Sequence, residues 1–501
     1  MSKSDWDTMS DANFETLLQT SISDVPPEHV VTEVNPWRKA IKNVLIGMAF
    51  CTVTLNFEGL NYILPVIGII LTMIGFRTLR ADNVWFKLCF IISVVRGACF
   101  FPIFILNTTI INEITGGRLV SLAGIFNTLM ILCLTFCLWQ GIRTVQRKAG
   151  ILAGASGAVW LIVWYAILCA LAVIQYTGMV IVAVMVIGYC VILRSLYSLS
   201  KEFDEAGYSV KTTSVKVSNR GIALILCLIL LIGVVAGYVL GGSYPMRWQP
   251  IEGTEVNELI GIKSHLRALG FPESVLNDLT AEEIKNCDGA LRVVVESADE
   301  PVNDGRIENV QEGEGDEHYF VEKIVYDVRE LRITDVAVQI KDKPEQWVIF
   351  HHFLWIKDPG FYGTESINLW PSYGEVAKGW TSDGEIGGRV LYDDYEGNHF
   401  AAPYYFVGNR TYTADGLLSK TEEKSEIFAD FSMPRKGEKF RGYIPYKISA
   451  LEEGYMISSW INYTHQKSCL QYPVETASQY RMKGIMAENS AFITVQHALK
   501  F

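Results

Sequence analysis

Few residues in this sequence have the types and spacing from which a reactive site is built. His351 and His352 adjoin in QWVIFHHFLW, residues 346–355. That run is rich in β-branched and aromatic residues, so a strand is expected. Neighbours on a strand point to opposite faces, so the two imidazoles are not a ligand pair. His465 and Cys469 stand four apart at the end of another expected strand, with no further ligand close by in sequence. No metal site is assigned. Asp393-Asp394-Tyr395-Glu396-Gly397-Asn398 has the composition of a calcium loop but lacks its alternation of donors. There is no GxSxG, no HExxH and no phosphate-cradling glycine loop. No catalytic residue and no cofactor is assigned, and the balance leans away from an enzyme.

Two features remain. The stretch 355–380, WIKDPGFYGTESINLWPSYGEVAKGW, sets Trp355, Tyr362, Trp370, Tyr373 and Trp380 among Asp358, Glu365 and Asn368. Aromatic faces beside polar groups suit a ligand groove for a sugar or peptide, and the same residues also build ordinary cores. The second feature is Arg96, in the middle of the apolar run ISVVRGACFF, residues 92–101. An ionisable group at membrane depth is costly and marks a site by default. No Asp or Glu falls inside any of the apolar runs. The polar neighbours on offer are Asn127, Tyr165 and Tyr189, together with the backbone carbonyl freed by Pro102. Three roles stay open for Arg96: helix packing, an anion or lipid-headgroup site, and transport. The missing carboxylates count against proton-coupled transport.

The elements that must position these residues follow from hydropathy and charge. Half of the 501 residues are hydrophobic and 19% are charged, which points to membrane spans. Seven apolar runs are near membrane length: 40–56, 60–77, 86–107, 119–140, 151–173, 177–196 and 220–241. The first two form a tight hairpin, with a re-entrant pair as the alternative. Charge is segregated along the chain. Residues 1–36 carry one base and seven acids, 37–242 sixteen bases and six acids, and 243–501 twenty-six bases and 41 acids. Bases collect in alternate loops: Arg38, Lys39 and Lys42; Arg77, Arg80 and Lys87; Arg143, Arg147 and Lys148; Lys201, Lys211, Lys216 and Arg220. Cytoplasmic loops collect Lys and Arg. The N-terminus is therefore expected in the cytoplasm and the C-terminal domain outside the cell membrane. The polar, acidic start is unlike a cleavable signal peptide, so the first span is expected to be an uncleaved signal-anchor.

The expected fold is thus a membrane α-helical bundle of about seven transmembrane helices, then an exported mainly-β sandwich or jelly-roll-like domain with a small N-terminal helical unit. Its expected divisions are 1–36, 37–242, 243–290 and 291–501. Thr280-Ala281-Glu282-Glu283 has the pattern of a capping box, and Gly270 closes a helix that starts near Thr254. Strands are expected near 319–328, 336–340, 346–355, 388–393, 399–407, 426–431, 440–448, 453–464 and 489–497, with turns at Asp383-Gly384 and Gly387-Gly388. The acidic stretch Glu296 to Glu317 is expected to be a mobile loop. Eight of the ten cysteines lie in the spans, which leaves Cys287 and Cys469 as the candidate disulfide.

In the tail, Phe14, Leu17, Leu18 and Ile22 share one face of an expected helix over 11–22, ended by Pro26-Pro27. An acidic helix with one apolar stripe suits docking to a cytosolic protein. The net negative charge of the C-terminal domain argues against nucleic acid. Its partner, if bound at the aromatic stretch, would be a cell-envelope glycan or peptide.

FRGYIPYKI at 440–448 and WINYTHQKSCLQYPVETA at 460–477 resemble C-terminal segments of uncharacterised bacterial multi-pass membrane proteins, as does the passage from Pro26-Pro27 to VNPWRKA. The resemblance implies a bacterial origin and no activity. Three functions compete on this reading: a sensor or signalling scaffold, a transport or lipid-handling protein that uses Arg96, and a cell-envelope enzyme with an unrecognised site. Immobilised residues 1–40 are expected to capture one cytosolic protein that the Leu17→Asp/Leu18→Asp variant does not hold. Equal capture by both peptides, read by mass spectrometry, would remove the docking face.

Overall fold

A computed structural model describes residues 36–53, 60–114, 118–151, 156–174, 178–206, 208, 217–251, 257–302, 306–312, 319–325, 330–370, 380–383, 386–415, 421–451, 458–469, 471–483 and 491–500. The chain forms two compact units. One covers Met1–Ile105 and Thr115–Val234, and the other Leu106–Ile114 and Val235–Phe501.

The first unit is helical: α1 (Pro36–Thr52), α2 (Leu60–Leu79), α3 (Val84–Leu106, whose last residue belongs to the second unit), then, after a short α4 (Ile111–Ile114) of the second unit, α5 (Arg118–Lys148), α6 (Ser156–Val173), α7 (Met179–Glu205) and α8 (Asn219–Leu240). Six helices among the described residues, α2, α3 and α5–α8, are long and apolar enough to cross a membrane. Large apolar side chains such as Val180, Ile187, Ile232 and Leu240 are exposed on them, as a lipid-facing surface requires. The first of the seven expected spans is the exception. With 17 residues, α1 is about 25 Å long. It packs antiparallel on α2, as the hairpin reading requires, and small residues make the approach close. A Cβ on Gly68 would stand 2.6 Å from the Gly47 carbonyl oxygen, and one on Gly75 2.7 Å from that of Ala40.

The basic loops gather at one end of this unit. Arg77 donates to Asn219 Oδ1 (2.8 Å) and to the Val217 carbonyl (2.7 Å). Buried Asp82, after α2, accepts from Tyr208 Oη (2.8 Å), and its carbonyl accepts from Lys148 Nζ (2.8 Å) at the end of α5. Arg38 on α1 donates to Tyr197 Oη (3.3 Å) on α7.

The second unit opens with α9 (Asn257–Ala268), α10 (Glu273–Leu276) and α11 (Ala281–Lys285). Gly270 follows α9 at φ +94°, where glycine carries no Cβ penalty. The capping box of α11 forms as its sequence predicts: Glu283 N–H donates to Thr280 Oγ1 (3.3 Å) and Thr280 N–H to Glu283 Oε2 (2.7 Å). All strand pairings are antiparallel. The larger sheet has the order β1 (Gln249–Pro250), β10 (His399–Pro403), β9 (Arg389–Asp393), β13 (Glu438–Ala450), β6 (Glu345–Trp355), β5 (Leu331–Asp342), β2 (Arg292–Glu300), with β8 (Trp380–Asp383) also on β13. The smaller runs β11 (Phe406–Asp415), β12 (Thr421–Phe431), β7 (Glu365–Trp370), β14 (Ser458–Gln466), β15 (Phe492–Lys500). β3 (Arg306–Glu312) and β4 (Tyr319–Val325) form a separate hairpin.

The two large sheets face each other across one core that includes Ile333, Ile349, Phe353, Ile427, Phe431, Ile461 and Tyr463. The opposite face of the larger sheet packs Val336, Val338, Phe350 and Tyr443 against Leu266, Phe271, Val275 and Ile284 of the small helical unit. Strand β6 is therefore covered on both sides, which accounts for apolar residues at consecutive positions from Trp347 to Phe350.

Two expectations change. Within the acidic stretch, the described residues from Glu296 are strand, as the end of β2 and all of β3, with Val293 and Val295 of β2 paired with Val338 and Val336; 303–305 and 313–317 lie outside what is described. Cys287 and Cys469 are both free: Cys287 is sealed in the helical unit, and its burial, with Glu283 nearby, pushes its thiol up to about 12. The helical unit excludes Leu106–Ile114 and the end of α8, which group with the second unit.

Candidate functional site

The two faces of the smaller sheet are chemically opposite. Ile367, Leu369, Ile427, Ala429, Ile461 and Tyr463 point into the core. Alternation sends Ser366, Asn368, Glu426, Asp430, Asn462 and Thr464 outward, and all six are nonetheless buried. Short helix α12 (Ala477–Met482) lies over them, capped by a Thr476–Gln479 box. Its Arg481 Nε donates to Asn368 Oδ1 (3.1 Å). Asn368 Nδ2 donates to Glu426 Oε2 (3.0 Å), which also accepts from Tyr412 Oη (2.6 Å).

At one end of this layer an ion cluster grips the segment between α3 and α5. Arg410 forms a charge-assisted pair with Asp430 and stands 3.6 Å from Glu113 Oε1. Its guanidinium carbon lies 4.1 Å from the centre of the Phe406 ring. Asp430 Oδ1 accepts from Ser366 Oγ (2.8 Å). Glu113 Oε2 accepts from Tyr244 Oη (2.9 Å), and Tyr244 N–H donates to Ser432 Oγ (2.9 Å). Backbone bonds complete the attachment: Ile110 N–H to the Gly241 carbonyl (2.9 Å), and Val474 N–H to that of Asn107 (2.8 Å). Burial pushes the Asp430 carboxyl up to about 6, with Glu113 adding to the shift and Arg410 and Ser366 opposing it.

A second network crosses the core. His351 Nδ1 and His497 Nδ1 bind the two oxygens of Asp335 (2.6 and 2.7 Å), and His351 Nε2 meets Ser459 Oγ (2.7 Å), which also touches Tyr446 Oη. Carboxylate, imidazole and hydroxyl stand in the order of a proton relay to a nucleophile. However, Asp335 and His351 are fully enclosed and Ser459 is 1% exposed, so the hydroxyl is closed off from solvent. The network ties β5 and β6 to β14 and β15. Burial works against charge on Asp335, but the two imidazoles hold its carboxyl below the usual range. The same contact raises His497. On the opposite face His352 Nε2 meets Asp278 (2.9 Å), as expected for adjacent residues on one strand, and Arg441 joins Asp278 to Asp393.

The residues singled out from sequence are distributed as follows. In the helical unit Arg96 is buried and its Nε donates to Asn127 Oδ1 (3.0 Å). Tyr165 and Tyr189 are also buried, joined to each other (3.4 Å) and to Thr52 Oγ1 (2.7 and 3.2 Å). Trp355 is not a groove wall: it is a core residue whose Nε1 donates to Tyr463 Oη (3.0 Å). Tyr362 packs against Phe440 and donates to Asp358 Oδ2 (2.9 Å). Trp370 pairs with Trp460 in the backbone register, and its side chain lies outside what is described. The Trp380 side chain, Tyr373 and the tail residues Phe14, Leu17, Leu18 and Ile22 lie outside what is described. His465 pairs with buried Glu365 (2.7 Å). Sequence reading missed Arg410, Asp430 and Tyr244, whose spacing along the chain follows no motif. The alternation of Ser366 and Asn368 with Ile367 and Leu369 was the available sign of a polar outer face.

No family model matches the chain, and no curated protein matches it. Among solved structures, the KRT10-binding region domain of the pneumococcal serine-rich repeat protein PsrP aligns with 34% of this chain and 87% of its own length. The identity is 11% and the TM-score 0.15, a likeness too slight to carry an argument.

The Asp430 cluster has a signed pH dependence. A carboxyl raised in the folded state contributes stability that is complete below its unfolded value, about 4, and is lost as pH rises through about 6. Above that pH, Glu113 and Asp430 repel each other across Arg410. Acidification from pH 7 to pH 5 is therefore expected to slow hydrogen exchange over 106–114 several-fold, after correction for intrinsic rates. Asp430→Asn should flatten that response, and an unchanged response in the variant would assign it to another group.

Proposed function

We propose that this protein is an integral membrane sensor or signalling scaffold, in which a β-sandwich outside the membrane acts on the helices it holds. The observation that carries this reading is the Glu113–Arg410–Asp430 cluster with its backbone bonds. The sandwich does not merely follow the last helix on a linker. It takes in the segment after α3 and the last turns of α8, so a change in the sheet has two covalent routes into the helical unit. The polar layer under α12 is the part of the sandwich whose rearrangement would reach Arg410 first.

The finer topology belongs to the same proposal. Seven helical crossings, with α1 as a short first one, put the N-terminus in the cytoplasm and the sandwich outside. The convergence of the basic loops at one end of the helical unit supports this arrangement. The acidic tail is then the cytosolic docking element, and a cell-envelope glycan or peptide is the cue class for the sandwich. A phosphatase reporter that is active only outside the cytoplasm, fused after Phe501, is expected to be active. A silent fusion in a stably expressed chain would reverse the topology.

Transmission is tested by Arg410→Gln in the full chain. Loss of the cation leaves Glu113 and Asp430 facing each other and should free 106–114. Hydrogen exchange is expected to rise there, and also at the far basic end around Asp82 and Lys148, by two- to ten-fold. A rise confined to the second unit would sink the signalling reading and leave the cluster as a local clasp.

A further inference from the structure

Arg96 is 5% exposed, at the thirteenth of the 23 residues of α3. That places it about 15 Å or more along the helix from either end. Cys89, Ser93, Arg96 and Gly97 form the buried stripe of α3, while Ile91, Val94 and Val95 on its other side are exposed. The guanidinium thus turns away from lipid and into the helical unit. Among the described residues it donates to a single oxygen, Asn127 Oδ1, through Nε. The Cys51 thiol and the Tyr165 hydroxyl are close enough to interact with it. No described residue forms an ion pair with Arg96, and the helical runs of α1, α2, α3, α5, α6 and α8 hold no Asp or Glu. The carboxylates of α7 stand at its basic end, at Glu202, Asp204 and Glu205.

A buried charge without a counter-charge is unstable in a low-dielectric setting, and a guanidinium keeps its proton there. Its planar fork of amino groups fits the paired oxygens of a carboxylate or phosphate. The Tyr165 hydroxyl, which interacts with it, is joined to those of Thr52 and Tyr189 in one hydrogen-bonded group. Hydroxyls can turn their protons toward an oxyanion.

We propose that Arg96, with Asn127, Thr52, Tyr165 and Tyr189, forms an intramembrane binding site for one oxyanion. The Nη groups hold its oxygens, Asn127 fixes the plane of the fork and the hydroxyl group completes the shell. The oxyanion is carried by an anionic lipid or enters as a free ion. The site does not depend on the signalling reading, since it lies wholly within the first unit.

The test uses the purified full chain. One arm is native mass spectrometry with added phosphatidylglycerol, and the other is calorimetry of the delipidated protein with inorganic phosphate. Wild-type retention of phosphatidylglycerol that falls about ten-fold in Arg96→Gln identifies a lipid source. Phosphate binding to wild type, lost in Arg96→Gln without a lipid difference, identifies a free ion. Arg96→Lys is expected to be intermediate in either arm, because it keeps the charge and loses the fork. Should Arg96→Gln fail to fold, Tyr165→Phe carries the comparison, with a several-fold loss expected. Equal lipid retention and equal phosphate response in wild type and a folded variant would overturn the site.

Discussion

A charge taken out of water must be met by another charge or by several hydrogen bonds, and this constraint shapes both units. In the sandwich it is satisfied pair by pair. Asp335 lies between His351 and His497, Asp278 between His352 and Arg441, and Asp430 against Arg410 and Ser366. Each carboxylate sits on one strand or turn and draws its partner from another, so these pairs fix how the elements meet. Apolar area alone would let two sheets slide. A bond from Asp335 on β5 to His497 on β15 holds one register, and Trp355 to Tyr463 fixes a second point across the same core. Removing one member of such a pair strands the other and costs about 3–5 kcal/mol, which makes each pair a strict constraint.

The same rule separates what was legible in the sequence from what was not. Local signals were legible. The capping box at Thr280, the helix closed at Gly270, the apolar runs and the opposed directions of His351 and His352 all depend on residues within one or two turns of each other. The acidic stretch after Glu296 misled because charge was weighed over the valine alternation that precedes it. Trp355 was open to two readings, since aromatic residues serve cores and grooves alike, and the facing sheet decides for that residue. The ion cluster was out of reach. Glu113 and Arg410 are separated by nearly three hundred residues, and neither position is marked by its neighbours. The boundary at Leu106 was hidden for the same reason: the residues around it are apolar enough for a membrane, and contacts with residues distant in sequence group the segment with the second unit.

The two connections between the units differ mechanically. In α3, Pro102 lies between Arg96 and Leu106. Proline lacks the N–H that would bond the carbonyl of Ala98, and its ring crowds that carbonyl, so bending concentrates at this turn. Helix α8 contains no proline from Asn219 to Leu240 and keeps its hydrogen-bonded ladder across the boundary at Val234. Helix α8 is thus continuous, while α3 has a weak point at Pro102. Arg96 lies within two turns of Pro102. A change of angle there would alter how the guanidinium meets Asn127 on α5.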